Sequence, residues 1–224
     1  MRKKLALKLT YTATILLTLT LASLGSRTVT AISQNLPPER DFCFIIDPGH
    51  GGVDGGATSC TGKQESAFNL EIGLRLRDLL HFLGYETRMT RDSDISIHRT
   101  GETIAQKKMS DLKERVRICS ETEGAVLLSI HQNTFPDQRY SGPQVFYSSS
   151  EGSQELATTL QSALGNRSIK RAEGIYLMEH ISCTGVLIEC GFLSNPEEEA
   201  KLCSPEYQKQ LACIIAATAA EFIR

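Results

Sequence analysis

Short, unbroken apolar runs alternate along this chain with segments of helical periodicity, and that alternation limits the folds it can adopt. Residues 42–46, 125–130 and 186–188 are runs of this kind, typical of strands buried on both faces. From Glu65 to Leu83 apolar residues recur at three- and four-residue steps, and Gly84 ends the pattern. This predicts an amphipathic helix of about 19 residues with a glycine C-cap.

The rest of the chain continues the alternation. Apolar triplets or short runs predict further strands at 85–91, 145–147 and 175–177, and helical spacing predicts helices near 112–119, 156–164 and 205–222, with Asn195 and Pro196 at another helix start. Residues 92–110 show no clear period. We therefore expect a single α/β domain: a twisted, mostly parallel or mixed sheet of about six strands with helices on both faces.

The first 41 residues differ in character from the remainder. Residues 1–31 begin with a short basic stretch, continue into an apolar, Thr-rich run and end near small residues, which is the layout of a secretory signal peptide or of a retained membrane anchor. Residues 32–41 are polar and contain two prolines, as expected of a linker, leaving 42–224 as the catalytic domain. Either form of the N-terminus predicts an exported domain outside the cytoplasmic membrane, secreted or anchored.

Charge and cysteine content exclude some functions. The formal net charge is −2, so nothing suggests a nucleic-acid partner. The seven cysteines show no CxxC or other zinc-ligand spacing. Two of them, Cys43 and Cys190, lie in apolar strand runs and are interpreted as small buried hydrophobic residues. A disulfide among the others stays open.

Two histidines and two glutamates carry the chemistry. His50, His131 and Glu189 follow or end predicted strands, and Glu65 begins the first predicted helix. In α/β sheets, functional residues gather at the carboxyl ends of strands. Two imidazoles and one carboxylate can hold Zn²⁺ and leave one coordination position open for water. A further carboxylate can accept the proton of that water molecule. We therefore assign His50, Glu65 and His131 as metal ligands and Glu189 as the catalytic base.

Each assignment has a structural alternative. The glycines around His50 could cradle a phosphate, but GHGGVDGG lacks the Lys-Ser/Thr of a P-loop and has Asp54 where GxGxxG needs glycine. Glu65 could serve only the helix dipole, His131 could be a core histidine, and Glu189 could form a buried ion pair. Ser129 and Asn133, on the His131 side of its strand, are candidate partners of that imidazole.

Six segments resemble the zinc-dependent N-acetylmuramoyl-L-alanine amidases of bacterial cell walls: IIDPGHGGVDGGA, ESAFNLEIGLRLRDLL, YETRMTRDSD, DLKERV, VLLSIHQN and VLIECGFLSNPEE. They keep family order across nearly all of residues 42–224. The resemblance implies a zinc cofactor held by His50, Glu65 and His131, catalysis by Glu189, and hydrolysis of the amide between the lactyl group of N-acetylmuramic acid and L-alanine.

Within this family the chain is most similar to the germination-specific amidases of spore formers. The features that carry this resemblance are GPQVFYS at 142–148 and a last helix that follows without a long insertion. This implies a role in spore cortex maturation through muramic-δ-lactam, in germination, and in the intermembrane or cortex space. It also implies a downstream deacetylase and a possible lipoprotein activator. The chain departs from relatives at residues 181–184, where they often have proline. Three alternatives stay open: a vegetative amidase in division or autolysis, a catalytically silent peptidoglycan-binding protein, and a zinc peptidase that cuts within the stem peptide.

Overall fold

The computed structural model describes residues 42–224. The predicted signal or anchor at 1–31 and the linker at 32–41 lie outside that range. Six strands form one sheet: β1 (Cys43–Pro48), β2 (Glu86–Met89), β3 (Ala125–Asn133), β4 (Gln144–Tyr147), β5 (Lys170–Arg171) and β6 (Thr184–Phe192). Six helices accompany them: α1 (Glu65–Phe82), α2 (Ile104–Ser120), α3 (Ser153–Leu164), α4 (Tyr176–His180), α5 (Pro196–Leu202) and α6 (Pro205–Phe222).

The sheet is mixed, with strand order β2-β1-β3-β6-β4-β5. Strands β2, β1, β3 and β6 pair in parallel, whereas β4 runs antiparallel to β6. A parallel connection needs a crossover, and helices provide it. The predicted α/β architecture with a mixed six-stranded sheet is confirmed.

Alternate residues along the central strands enter two separate apolar cores. Phe44 and Ile46 of β1 pack in the larger core with residues of α1, α3 and α6, whereas Ile45 between them packs in the smaller core with residues of α2 and α4. Both faces of the sheet are therefore covered, which explains why these strands read as unbroken apolar runs.

Helix ends follow the sequence signals closely. Gly84 follows the C-cap of α1 with φ 85°, and the Asn195 side chain caps α5 by accepting from the backbone N–H groups of Glu197 and Glu198. Helix α2 begins at Ile104, earlier than predicted, because Thr103 and Gln106 form a capping box in a segment without apolar periodicity.

One predicted strand is wrong. Residues 175–177 contribute to the short helix α4, and the sheet instead gains the two-residue edge strand β5. An apolar triplet fits either structure, and here Leu177 and Met178 are both buried in a helical turn.

Within residues 42–224, no helix is both long enough and apolar enough to cross a membrane.

Candidate metal centre and catalytic glutamate

The structure brings the predicted site residues to one edge of the sheet. His50 lies two residues after the end of β1, His131 lies in β3, and Glu189 lies opposite His131 in the register of β3 and β6. Glu65 is the first residue of α1. The ends of three adjacent strands and the start of one helix therefore meet at this edge.

Glu65 stands between the two imidazoles. Its Oε2 lies 3.3 Å from Nε2 of His50, and its Oε1 lies 2.9 Å from Nδ1 of His131. One ligand atom from each of the three residues lies within 4.8 Å of the others. Ligands of a tetrahedral zinc ion lie roughly 3.3 Å apart, so the three donors have the chemistry and the spacing of a metal site.

Charge in this cluster favours a cation. Burial alone would raise the pKa of Glu65, but hydrogen bonds and charges of His131 and His50 hold it far below its usual range. Burial alone would lower the pKa of His50, but Glu65 and Asp54 outweigh it and raise it above its usual value. The Glu65 carboxylate is thus held in its ionised form, which is the form that binds a metal ion.

Two glycines leave the space that the side chains of His131 and Glu65 occupy. A Cβ on Gly49 would lie 2.1 Å from Nε2 of His131, and a Cβ on Gly56 would lie 2.6 Å from Oε2 of Glu65. Gly56 also has φ 70°. Glycine is therefore required at these positions by the close approach of the His131 and Glu65 side chains, and not only by the turns of the loop.

His50 has an unusual backbone and a partner that the sequence did not reveal. Its φ of 62° is in the left-handed region, alone among the non-glycine residues that the structure describes. Its Nδ1 lies 3.0 Å from Oδ2 of Asp54, which also lies 3.2 Å from Nζ of Lys108. A carboxylate on the second nitrogen orients a metal-binding imidazole, and an acid four residues after the histidine was the available signal.

Two buried arginines hold the backbone that leads to His50. Arg115 donates from Nη2 to the carbonyl oxygen of His50 (2.8 Å) and from Nη1 to that of Pro48 (3.0 Å). Arg91 donates to the carbonyl oxygens of Pro48 (2.9 Å) and Gly49 (3.0 Å). Both arginines are 2% exposed. These bonds fix the strained turn, and the sequence analysis missed them.

A buried carboxylate balances this charge. Asp47, with 0% exposure, forms an ion pair with Nη1 of Arg115 and accepts hydrogen bonds from Thr90 (2.7 Å) and Ser129 (2.7 Å). Burial opposes ionisation, but Arg115 and these hydroxyls lower the pKa of Asp47 to about 2. The prediction for Ser129 is therefore wrong: its hydroxyl donates to Asp47, beneath the site, and not to His131.

Glu189 differs from every other acid at the site. Its Oε2 is buried and has no hydrogen-bond partner. Burial raises the pKa of its carboxyl to about 7; Glu65 adds to the rise, while His131 and His50 oppose it. A carboxyl with a pKa near neutrality, beside three residues that could hold a metal ion, can both accept and donate a proton.

An open cleft of about 460 Å³ lies at the same sheet edge, formed by segments that follow β3 and β6 and by the loop before α1. Its lining combines hydroxyl-bearing and apolar residues: Thr58, Ser59, Cys60, Thr134, Phe135, Pro136, Gln138, Leu193 and Ser194. The phenyl ring of Phe135 is 45% exposed and packs on Tyr140, with ring centroids 4.6 Å apart.

Comparison with known proteins places this geometry in a family. The germination-specific N-acetylmuramoyl-L-alanine amidase of Bacillus subtilis (strain 168) is 40% identical over 181 residues, which cover 77% of this chain and 76% of the relative. The CwlD amidase of Clostridioides difficile, solved in complex with the GerS lipoprotein, superimposes with a TM-score of 0.78 at 35% identity, covering 81% of this chain and 98% of that one.

A second solved structure, the N-acetylmuramoyl-L-alanine amidase of Clostridium difficile 630, gives a TM-score of 0.72 at 30% identity, covering 81% of this chain and 96% of that one. The family profile described as N-acetylmuramoyl-L-alanine amidase matches residues 44–220, which is nearly the whole of the described domain. The chain therefore belongs to the N-acetylmuramoyl-L-alanine amidase family.

Proposed function

We propose that this peptidoglycan amidase is zinc-dependent, with His50, Glu65 and His131 as the ligands and Glu189 as the catalytic base. The observation that carries the proposal is the position of Glu189: a carboxylate with a buried, unpartnered oxygen in register with a residue of the metal-capable cluster. The bond cleaved is the amide between the lactyl group of N-acetylmuramic acid and L-alanine.

A zinc ion bound to the three ligands would supply Lewis-acid activation of water and of the scissile carbonyl. The protein's own part falls first to Glu189, which accepts a proton from the attacking water and returns it to the leaving nitrogen of L-alanine. With a pKa raised to about 7, its carboxyl serves both steps near neutral pH. Asp54 keeps His50 in one orientation through Nδ1.

The cleft at the sheet edge supports an extended substrate. Cys60 and Leu193 line it and are joined by a backbone hydrogen bond of 3.2 Å. Thr58, Ser59 and Ser194 add hydroxyl groups to the lining. We assign this cleft to the stem peptide or the glycan strand, because exposed rings and hydroxyls suit a polar chain with apolar patches.

The biological role is proposed from the relatives. The similarity to a germination-specific amidase supports a role in spore cortex maturation, where removal of the stem peptide would prepare muramic acid for a deacetylase and muramic-δ-lactam formation. The CwlD structure with the GerS lipoprotein supports a lipoprotein partner for this chain. Both roles place the catalytic domain outside the cytoplasmic membrane, in keeping with the signal-like or anchor-like residues 1–31.

The test is mass spectrometry of the products released from purified peptidoglycan by the full-length chain, after chelation and after zinc is restored. We expect peptides that begin with free L-alanine only in the zinc-loaded sample, and none from the Glu189→Gln variant. New ends inside the stem peptide would identify a peptidase instead. Bound zinc without products, even after a lipoprotein partner is added, would indicate a silent binding protein.

The cortex role needs its own comparison. The zinc-loaded chain is incubated with cortex and with vegetative peptidoglycan, each with and without a muramic acid deacetylase, and muramic-δ-lactam is quantified. Lactam formed only when both enzymes are present supports the cortex assignment. Equal or faster release of stem peptides from vegetative wall, with no lactam, would favour a vegetative amidase.

A further inference from the structure

A small recess adjoins the metal-capable cluster on the side of α2 and α4. Two of the three proposed ligands, His50 and His131, belong to its lining. Aliphatic side chains form its apolar part: Leu112, Ile175, Leu177 and Leu187. Part of a substrate whose scissile bond lies at the cluster can therefore extend into this recess.

Arg115 and Lys108 bring cationic side chains to this recess, and they differ in what they can still bind. Arg115 is 2% exposed, and its guanidinium is already paired with Asp47 and Asp111. The Lys108 side chain is 50% exposed, and its Nζ lies 3.2 Å from Oδ2 of Asp54. Because an ammonium has three N–H donors, Lys108 can bind Asp54 and an anionic ligand at the same time.

The position of Lys108 relative to the cluster is set by α2 and by Asp54. Lys108, Asp111 and Arg115 follow one another at three- and four-residue steps, so they share the face of α2 that lines the recess. The same oxygen of Asp54, Oδ2, lies 3.2 Å from Nζ of Lys108 and 3.0 Å from Nδ1 of His50. One carboxylate oxygen therefore separates the ammonium from the imidazole of a proposed metal ligand.

The acids of the lining leave the recess open to an anion, because each is paired with a cation or an imidazole. Asp47 and Asp111 contact Arg115, and Asp54 contacts His50 and Lys108. The exposed fraction of the side chain is 50% for Lys108, against 24% for Asp54 and 11% for Asp111. The charge that an incoming group meets first is therefore positive.

We propose that Lys108 binds the free carboxylate of the second residue of the stem peptide. The inference deepens the proposed function and rests on it. That residue is a D-glutamate joined onward through its γ-carboxyl, so its α-carboxylate is either free or amidated to isoglutamine. Its Cα lies about 3.8 Å from that of the L-alanine that carries the scissile nitrogen. The scissile amide and this carboxylate are thus close enough to meet the cluster and Lys108 together.

This assignment makes Lys108 a residue that determines specificity. An ammonium forms stronger hydrogen bonds to a carboxylate than to a neutral amide, so Lys108 favours glutamate over isoglutamine at the second position. A purely structural role would act through Asp54 on the orientation of His50. That role would alter zinc binding and would affect both kinds of stem peptide alike.

The experiment compares two soluble muropeptides that differ only in the second residue, D-glutamate or D-isoglutamine. Calorimetry gives their dissociation constants with the full-length, zinc-loaded chain that carries Glu189→Gln, which slows cleavage. We expect the glutamate form to bind roughly 5- to 10-fold more tightly, and Lys108→Met to bring the two dissociation constants within about 2-fold of each other.

Two further variants complete the comparison. Lys108→Arg keeps the positive charge and should keep the preference for glutamate. Lys113→Met removes a charge at an exposed position on α2 that does not line the recess, so it should keep the preference as well. The half-exposed position of Lys108 lets both replacements leave the core intact, and zinc content measured for each variant checks this.

The possible failures of this inference and of the proposed function are distinguishable. A preference that is absent with Lys108 present, or unchanged in Lys108→Met, would overturn the inference and leave the proposed function standing. Equal losses for both muropeptides with weaker zinc binding would also overturn it and would assign Lys108 to the support of His50. Binding of neither muropeptide by the zinc-loaded chain would contradict the proposed function and this inference with it.

Discussion

A hydrogen bond from the Arg115 side chain to the His50 backbone, 2.8 Å long, joins the middle of α2 to the turn that presents the imidazole of a proposed metal ligand. The turn is strained, since His50 has φ 62°, and a strained residue persists only where its surroundings fix it. Arg115 is itself fixed by Asp47 and Asp111. The position of His50 thus depends on a buried ionic network formed by residues other than the proposed ligands.

Replacing Arg115 with lysine tests this relationship. Lysine keeps a positive charge near Asp47 but cannot donate to two carbonyl oxygens and two carboxylates at once. We expect zinc affinity, measured by competition with a chelating dye, to fall roughly 10- to 100-fold. The control is Arg117→Lys, which should bind zinc as the native chain does. Arg117 lies two residues further along the same helix and is paired with Glu114 and Glu121. Unchanged zinc affinity in Arg115→Lys would show that the buried ionic network does not determine zinc binding.

Because the pKa of Asp47 is lowered on folding, we expect the free energy of unfolding to decrease at acidic pH. Its pKa is about 2 in the folded chain against an ordinary 3.8, so folding favours the ionised form. This stabilisation, about 2 kcal/mol, is complete above pH 4 and is lost as the pH falls through about 2. Denaturant unfolding at pH 5, 4, 3 and 2 measures it.

Asp47→Asn isolates that contribution. The variant removes one of the two carboxylates that pair with the buried Arg115 guanidinium and leaves Asp111 as the other, so we expect it to lose about 3 kcal/mol at pH 7 and to show a shallower decline between pH 4 and 2. Asp78→Asn, at a side chain 67% exposed, is the control and should keep the native profile. An equally steep decline in Asp47→Asn would assign the loss of stability at acidic pH to other carboxyls.

Glu189→Gln separates catalysis from metal binding. The amide cannot accept the proton of water, so we expect kcat to fall by about 10²- to 10⁴-fold while zinc stoichiometry stays that of the native chain. Burial raises the pKa of Glu189 from 4.5 to about 7, so the folded chain loses stability as the pH rises between these values and carries the full cost above pH 7. The variant lacks this cost and should unfold at the same or higher temperature at pH 8. Glu197→Gln, at an exposed position, should change neither quantity. Loss of zinc in Glu189→Gln would make this residue a ligand.

Two glycines form a matched pair for the space around Glu65. Gly56 and Gly62 both have positive φ, 70° and 92°. A Cβ at Gly56 would lie 2.6 Å from Oε2 of Glu65 and 2.7 Å from Cδ2 of His50, whereas a Cβ at Gly62 would have no neighbouring atom within 4 Å. Alanine therefore strains the backbone at both and displaces ligands only at Gly56. We expect both variants to lose stability, Gly56→Ala more than Gly62→Ala, and only Gly56→Ala to lose zinc affinity. Equal zinc affinities would mean that the ligands move aside.

The edge of the sheet where the site forms could be predicted from the sequence. His50, His131 and Glu189 each follow or lie in an apolar strand run, and parallel strands end at a common edge. Once the α/β architecture is predicted, the meeting of these three residues with Glu65 at that edge can be predicted as well. Their catalytic and metal-binding roles stay predictions, to be settled by the zinc and product measurements above.

The network beneath the site could not be predicted in the same way. Asp111 and Arg115 lie on α2 in a stretch rich in charge, which is typical of a solvated helix, yet both are buried. Asp47 adjoins an apolar strand without any sign of which cation faces it. Pairing of this kind depends on how two elements pack, and an apolar period carries no information about it. Helix α4 shows the same limit, since three apolar residues fit a strand and a buried turn equally well.

The strands that carry His131 and Glu189, and the strand that leads to His50, are three neighbours in the middle of the sheet. Edge strands open first in native-state fluctuations, while central strands open only with the whole domain. Fraying of β2 on one side or of β5 on the other therefore leaves the ligand-bearing strands paired. Separation of His131 from Glu189 should accordingly coincide with global unfolding, and the backbone amides of these two residues should exchange with solvent as slowly as those of the core.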